Sequence, residues 1–186
     1  MTSAIFLDRD GTLNEQAPPH EHVTTREQFR FLPGVLDALA FLAQNSERRI
    51  AIVTNQSCIG RGTATRAQVD ALHAWMVGQI ESAGGRVDGL YICPHRFEDA
   101  CRCRKPGPGM FLDAAREMGV DLGRSVIVGN TITDMIAARC ASVRECYLSL
   151  AGWPYEHPPP DEGDAYTVTG DLSDAARLIV ARERRV

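Results

Sequence analysis

Two carboxylates lie one residue apart, directly after the first apolar run of the chain. Asp8 and Asp10 follow residues 4–7, and Gly11 comes next and permits a tight turn. Residues two apart in an extended segment point to the same side, so both acids can face one pocket. Such carboxylates repel each other unless a cation or a proton lies between them. One could attack phosphorus while the other transfers a proton, although a surface turn with solvated acids is the simpler alternative.

Two further polar segments suit a phosphate group. Thr54, Asn55 and Gln56 follow the second apolar run, where a hydroxyl and two amides can hydrogen-bond phosphate oxygens. Arg104 and Lys105 lie in a basic loop, where the guanidinium can clamp a phosphate bidentately and the ammonium can neutralise its charge. Each segment also has a simpler interpretation, because polar residues end most strands and a basic loop can simply precede a helix.

A fourth polar segment, residues 129–134, follows another apolar run and contains Asn130 and Asp134. The side chain of Asp134 can cap a helix. It can equally lie beside a Mg²⁺ ion, which prefers oxygen ligands. The residue types alone leave both roles open.

Three cysteines and one histidine crowd into the eleven positions 93–103. Cys93, His95, Cys101 and Cys103 together make a full tetrahedral set of ligands for Zn²⁺. A closed set of four protein ligands is typical of structural zinc, so we expect the metal to fold this loop and to hold the basic loop over the site. Reduced cysteines without a metal, or a redox pair of Cys101 and Cys103, are the alternatives.

Short apolar runs alternate with helical patterns along the chain. The runs predict strands at residues 4–7, 50–53, 89–92, 126–128, 146–148 and 166–168. Helical periodicity predicts helices within residues 35–42, 69–80, 110–118, 134–140 and 172–180. Continuous rather than alternating apolar strands indicate burial on both faces, as in a parallel sheet. We therefore expect an α/β fold with helices on both faces, in which ligands bind at the carboxyl ends of the strands.

The composition is that of an ordinary globular domain. The chain has 186 residues, of which 44% are hydrophobic and 24% charged, so we expect one domain spanning residues 1–186. The formal net charge of −4 gives no basic excess for a nucleic-acid backbone. No apolar stretch approaches the roughly 20 residues that a membrane helix needs. We expect a cytoplasmic monomer that acts on a small molecule, without a nucleic-acid or membrane partner.

Four segments in this order resemble the motifs of the haloacid dehalogenase-like phosphatase superfamily. The segments are residues 8–12, 54–56, 103–106 and 129–134, and the similarity spans roughly residues 4–150. The chain looks most like the branch that contains histidinol-phosphate phosphatases and heptose bisphosphate phosphatases. The resemblance implies a Rossmann-like parallel sheet with a minimal cap and a zinc-binding loop at about residues 93–103.

The resemblance also implies a role for each matching residue. Asp8 would be the nucleophile that forms an aspartyl-phosphate, and Asp10 would protonate the leaving alcohol and then deprotonate the hydrolytic water. Thr54 would hydrogen-bond the transferring phosphoryl group, and Lys105 would offset the clustered negative charge and orient Asp8. Mg²⁺ would lie between Asp8, the carbonyl of Asp10 and the fourth segment. These roles agree with phosphoryl transfer, which depends mainly on alignment and on neutralising spread negative charge.

The fourth segment departs from the family pattern at one position. Active relatives normally carry an aspartate where this chain has Asn130. Asparagine keeps a carbonyl oxygen for Mg²⁺ but loses a charge, so we predict weaker Mg²⁺ binding than in relatives with aspartate, with Asp134 as a partial compensation. A slow natural enzyme, a degenerate member without turnover and an engineered change all remain open.

The substrate class follows from the open site that the sequence predicts. Only residues 14–30 and the zinc loop can cover the site, which suits a small phosphorylated sugar or alcohol. Residues 57–62 and 104–110 resemble the heptose enzymes, whereas the short zinc loop resembles histidinol-phosphate phosphatases. We expect a heptose bisphosphate phosphatase. Histidinol phosphate is the alternative substrate, and a non-catalytic phosphate-binding module is the alternative of another class, because of Asn130.

The histidines outside the cysteine cluster receive simpler interpretations. We interpret His20 and His22 as exposed loop residues and His73 as a packing or surface residue of a helix. The proline-rich residues 153–163 are interpreted as a surface loop.

Overall fold

Six parallel strands form one sheet. In this computed structural model, which describes residues 2–18, 21–152 and 165–185, the strands are β1 (Ala4–Leu7), β2 (Arg49–Asn55), β3 (Gly89–Cys93), β4 (Val126–Gly129), β5 (Glu145–Ser149) and β6 (Thr167–Thr169). The helices are α1 (Val35–Asn45), α2 (Arg66–Ser82), α3 (Gly109–Met118), α4 (Ile132–Cys140) and α5 (Leu172–Glu183). The strand order is β3-β2-β1-β4-β5-β6, and every neighbouring pair is parallel.

Both faces of the sheet are buried, as the continuous apolar strands predict. In β1, Ile5 and Leu7 pack into one core with residues of α1, α2 and α5, and Ala4 and Phe6 pack into a second core with residues of α3 and α4. All four side chains are fully buried, and complete burial of a large apolar side chain contributes about 1.5–3 kcal/mol. The expectation of a parallel sheet with helices on both faces is therefore confirmed.

The strand order reverses around β1, and this reversal places the site. Leu7 lies beside Ile52 of β2 on one side and beside Val128 of β4 on the other. Because the three strands are parallel, the loops that follow them leave the sheet at the same edge. Ligands bind in such a crevice in open α/β sheets.

The segment between β1 and α1 folds back over this edge. We call residues 21–31 the cover segment. Asn14 forms an antiparallel bridge with Phe31, and the buried Phe29 packs edge-on against Trp75 of α2 at 5.5 Å between ring centroids. The aromatic contact anchors the cover segment on α2.

The predicted elements agree with the structure except at their ends. The last strand begins one residue later than the apolar run suggests, at Thr167. Most of the predicted loop at residues 153–163, and also His20, lie outside the described residues. Within the described ranges, no helix is both long and apolar enough to span a membrane.

Candidate active site

A buried lysine lies between two carboxylates at the carboxyl edge of the sheet. The Nζ atom of Lys105 lies 2.6 Å from Oδ1 of Asp8 and 2.6 Å from Oδ1 of Asp134. It also donates a hydrogen bond of 2.8 Å to the carbonyl of Val53, at the end of β2. Lys105 therefore joins the ends of three parallel strands, and we call these three charged residues the charge centre.

The charge centre carries one more negative than positive charge when all its groups are ionised. Burial raises the pKa of Asp8 to about 7, although Lys105 opposes this effect. Burial also opposes the charged form of Lys105, but the carboxylates of Asp134 and Asp8 outweigh it and raise its pKa above that of ordinary lysine. A second cation at this position would favour the ionised form of Asp8.

Asp10 lies at the mouth of the site, with its side chain 27% exposed. Its Oδ1 accepts a hydrogen bond of 3.0 Å from Asn14, and its Oδ2 accepts one of 2.8 Å from Gln56. The same amide nitrogen of Gln56 donates to the hydroxyl of Thr54 at 2.9 Å. Gln56 therefore holds two predicted catalytic side chains in place, a positioning role that its residue type did not reveal.

Asn55 also contacts protein atoms. Its Oδ1 accepts from the backbone N–H of Lys105, and its Nδ2 donates to the carbonyl of the same residue, both at 3.1 Å. The amide therefore fixes the backbone that carries the lysine. The sequence predicts substrate contacts for Asn55 and Gln56, which stay predictions beside these structural roles.

Asn130 directly follows β4 and is fully buried. Its Nδ2 donates a hydrogen bond of 2.5 Å to the carbonyl of Gly152, and its Oδ1 meets no hydrogen-bond partner within the described part of the chain. The side chain lies directly over Gly11, where an added Cβ would come within 2.1 Å of Nδ2. An unpartnered buried oxygen close to the first motif fits the donor set of a hard cation.

Asp134 is engaged by protein groups on both oxygens. Oδ1 contacts Lys105, and Oδ2 accepts from the backbone N–H and the hydroxyl of Thr131 at 3.0 and 2.7 Å. These bonds cap the start of α4, so the capping role that the sequence allows is present. Its role as a magnesium ligand remains a prediction.

The cysteine cluster brings four ligand atoms together. Cys93 ends β3, and the other three residues lie in the loop that leads to α3. All four ligand atoms lie within 4.8 Å of one another, and the measured separations run from 3.2 to 3.7 Å. Ligands about 2.3 Å from a tetrahedral zinc ion would lie roughly 3.7 Å apart. The residues predicted to bind zinc, Cys93, His95, Cys101 and Cys103, therefore form a set that could hold a metal ion.

The same geometry bears on the redox alternative. The sulfurs of Cys101 and Cys103 lie 3.4 Å apart and are not joined by a disulfide, and the sulfur of Cys93 lies at similar distances, 3.6 Å from Cys101 and 3.2 Å from Cys103. Burial raises the pKa of Cys93, which a bound cation would counteract. Arg104 donates a hydrogen bond of 3.1 Å to the carbonyl of His95, so the cluster is directly connected to the basic loop. The arrangement favours a metal site over a pair of thiols.

His22 is not the exposed loop residue that the sequence predicts. It is half-buried, and its Nε2 lies 3.2 Å from the hydroxyl oxygen of Ser57. Burial lowers its pKa, and it lies close enough to Asp10, Arg61 and Arg104 to sense their charges. We call His22 and Arg61 the rim of the site. Arg61 lies within residues 57–62, which resemble the heptose enzymes, whereas no periodicity or motif in the sequence identifies His22.

Comparison with known proteins agrees with this geometry. Residues 15–142 match the haloacid dehalogenase-like hydrolase family. The chain is 38% identical to the D-glycero-beta-D-manno-heptose-1,7-bisphosphate 7-phosphatase of Escherichia coli O6:H1, with 97% of this chain and 96% of that protein covered. It is 39% identical to the Yersinia pestis protein of the same name, with 96% of each chain covered.

A solved structure is similar over nearly its whole length. The D,D-heptose 1,7-bisphosphate phosphatase from B. bronchiseptica, complexed with magnesium and phosphate, is 34% identical with a TM-score of 0.85. The match covers 97% of this chain and 99% of that one. The chain therefore belongs to the haloacid dehalogenase-like hydrolase family, as its four motifs indicate, and it is a phosphomonoester hydrolase.

Proposed function

We propose that this enzyme hydrolyses a heptose bisphosphate through an aspartyl-phosphate on Asp8. The observation that carries the mechanism is the buried contact between Asp8 and Lys105 beside the partly exposed Asp10. The sugar is supported by the full-length similarity to enzymes that bear this name. Residues from three strand ends meet at the site, which suits phosphoryl transfer because that reaction depends mainly on alignment and on neutralising spread negative charge.

The first chemical step forms the aspartyl-phosphate. Lys105 contacts Oδ1 of Asp8, and we assign the attack on phosphorus to Oδ2. The new Asp8 oxygen–phosphorus bond forms as the bond to the leaving sugar oxygen breaks, and protonated Asp10 gives its proton to that oxygen. Asn14 and Gln56 hold the carboxyl group of Asp10 during this transfer.

The second step releases phosphate. The carboxylate of Asp10 takes a proton from a water molecule, whose oxygen attacks phosphorus and displaces the carboxylate of Asp8. Asp8 is thereby regenerated and Asp10 is again protonated. Lys105 remains beside Asp8 and offsets the charge that spreads over the phosphoryl oxygens, while Thr54 donates to one of them.

The residues present fit a magnesium ion. The carboxylate of Asp8, the main-chain carbonyl of Asp10 and Oδ1 of Asn130, which has no hydrogen-bond partner among the described residues, would hold it. Bound magnesium supplies positive charge against the phosphate dianion. Asp134 already binds Lys105 through Oδ1 and Thr131 through Oδ2, so we propose that it acts mainly through Lys105.

We propose that the cysteine cluster binds Zn²⁺ as a structural metal. Four protein ligands leave no open position for substrate, which is typical of structural rather than catalytic zinc. Its function is to fold the loop at about residues 93–103 and to hold Arg104 and Lys105 at the site. The rest of the proposal is that residues 1–186 form one phosphatase domain, active as a cytoplasmic monomer on a small metabolite.

The positive rim supports a substrate with two phosphate groups. Arg61 and Arg104 both lie near His22, outside the charge centre that receives the reacting phosphate. Two guanidinium groups at this position suit the second phosphate of a bisphosphate. They suit histidinol phosphate less well, because histidinol carries an ammonium group that they would repel. The short zinc loop is the feature that keeps histidinol phosphate as the second candidate.

A substrate panel tests the proposal. Phosphate release should be measured with Mg²⁺ from heptose bisphosphate, histidinol phosphate and 4-nitrophenyl phosphate, with Asp8→Asn as the control for contaminating phosphatase. We expect the highest kcat/KM with heptose bisphosphate. Preference for histidinol phosphate would overturn the substrate, and no release by folded, zinc-loaded protein at high Mg²⁺ would favour the phosphate-binding module.

A further inference from the structure

A fully buried arginine lies between the two motif aspartates. The side chain of Arg9 is 0% exposed, and its Nη2 lies 3.4 Å from Oδ1 of Asp10. Nη2 also donates a hydrogen bond of 2.7 Å to the carbonyl of Val23, and Nη1 lies 3.3 Å from Nε2 of His73. The guanidinium also faces the ring of Phe29, with 5.5 Å between its carbon and the ring centroid. Arg9 therefore contacts the proton-transfer residue, the cover segment and α2 at once.

The protonation state of His73 follows from its partner. Arginine has only donors, so Nε2 of His73 must accept and the imidazole must be neutral with its proton on Nδ1. His73 is 1% exposed, and burial, reinforced by Arg9, lowers its pKa to about 4. The imidazole is thus a fixed acceptor for Arg9 at any pH at which the enzyme would work.

The buried pair of Arg9 and His73 fills the space between β1 and α2 at a high cost in folding free energy. Removing a guanidinium from water carries a large desolvation penalty, and apolar residues of similar volume commonly stabilise such a position more. Nε of Arg9 and Nδ1 of His73 meet no hydrogen-bond partner among residues 2–18, 21–152 and 165–185. Stability alone therefore does not account for the pair of Arg9 and His73.

We propose that Arg9, fixed by His73, is a positioning residue that aligns the carboxyl group of Asp10 for proton transfer and ties the cover segment to it. Asn14 and Gln56 hold the two oxygens of Asp10 from other directions, and Arg9 adds the only full charge among these contacts. Its bond to Val23 sets the backbone next to His22, which lies on the rim. The inference rests on the role proposed above for Asp10.

Leaving-group dependence provides a test that a purely structural role would not affect. An alkyl phosphate needs its leaving oxygen protonated, whereas 4-nitrophenolate leaves readily without help. A misaligned Asp10 should therefore lower kcat/KM for the sugar phosphate much more than for 4-nitrophenyl phosphate. The variants are His73→Leu, which removes the acceptor, His73→Gln, which keeps one, and Arg9→Lys, which keeps the charge but loses the fork of donors.

We expect His73→Leu to lower kcat/KM for the alkyl phosphate roughly tenfold and for the aryl phosphate by less than about threefold, because positioned acid catalysis contributes about 10²–10⁴-fold in total. Arg9→Lys should show a larger loss of the same kind, and His73→Gln should recover most of the alkyl activity. Ile80→Val, a core change elsewhere on α2, controls for lost packing and should affect both substrates equally.

Asp10→Asn separates the proposed acid role of Asp10 from the proposed positioning role of Arg9 and His73. If it lowers kcat/KM for both substrates equally, the acid role of Asp10 fails and the inference fails with it. The comparison uses kcat/KM rather than kcat, because Asp10 also acts in the second step, which both substrates share. If it lowers mainly the alkyl activity but folded His73→Leu lowers both equally or neither, the inference alone is overturned. Should Arg9→Lys not fold, the His73 pair still decides the question.

Discussion

The charge centre and the cysteine cluster lie close together at one edge of the sheet, but different forces fix them. The charge centre consists of side chains directly after β1, in the first turn of α4 and in the loop before α3, and a buried ion-pair network closes it. The cysteine cluster lies in a loop whose only regular element is a single 3₁₀ turn at Phe97–Asp99. Packing of the sheet sets the first arrangement, and we propose that a bound metal ion sets the second. The difference predicts that the two regions can be disrupted separately.

Removing the nucleophile should have the largest effect on catalysis and none on zinc. Asp8→Asn removes the attacking oxygen charge but keeps the shape, so we expect kcat to fall roughly 10³-fold or more, the scale seen when a covalent nucleophile is lost. Phosphate release measures the loss, and metal analysis should show unchanged zinc. Retained turnover would contradict the assignment of Asp8.

Removing the lysine should damage both catalysis and folding. Lys105→Met leaves Asp8 and Asp134 buried and facing each other, which should destabilise the fold by about 3–5 kcal/mol at neutral pH. The activity of the folded fraction should fall by roughly 10²–10³-fold, the scale of losing one charge-stabilising donor. Urea unfolding and kcat provide the measurements, and a variant as stable as the parent would show that the ion pairs are not what closes this centre.

Breaking the cysteine cluster should lower activity through position rather than charge. Cys93→Ser should lose zinc and lower kcat/KM on the order of 10–100-fold, because Arg104 and Lys105 lose a fixed backbone. Cys140→Ser is the matched control, since Cys140 is exposed and lies outside the cluster. Full activity in zinc-free Cys93→Ser would separate the two regions completely and refute the supporting role of the metal.

Placing a carboxylate at position 130 should have the smallest effect. Asn130→Asp places a charge near the proposed cation, and we expect the Mg²⁺ concentration for half-maximal activity to fall roughly tenfold. Asn130 now donates a hydrogen bond to the carbonyl of Gly152, whereas the carboxylate of the variant would repel that carbonyl oxygen. Tm without Mg²⁺ should therefore fall, and its rise on adding Mg²⁺ should exceed that of the parent. An unchanged Mg²⁺ titration would contradict this account of Asn130.

The sequence was most informative where strand ends and ligand types coincide. The apolar runs predicted the sheet, and its topology then brought Asp8, Thr54 and Lys105 to one edge, as expected from their positions after the strands. The four residues that could hold a metal ion were recognisable from close spacing and residue type alone. In the first case the rule is that parallel strands end at one edge of a sheet, and in the second it is that four closely spaced cysteine and histidine ligands complete a tetrahedral metal site.

The remaining contacts depend on side-chain paths that no local pattern encodes. The position of His22 on the rim depends on how residues 21–31 cross the sheet edge, and the bond from Arg9 to His73 joins residues 64 positions apart. Gln56 was predicted to contact substrate, and in the structure its amide nitrogen donates hydrogen bonds to Asp10 and Thr54. Such polar contacts, most of which join residues far apart in the sequence, follow only from the packed structure.

The central claim is that Asp8 carries the phosphoryl group during turnover. Rapid acid quench of the enzyme with heptose bisphosphate and Mg²⁺, followed by peptide mass analysis, tests it directly. We expect a single added phosphoryl group on the peptide that contains Asp8, absent in Asp8→Asn. Steady phosphate release with no phosphoryl group on that peptide at any time point within a turnover would contradict the account.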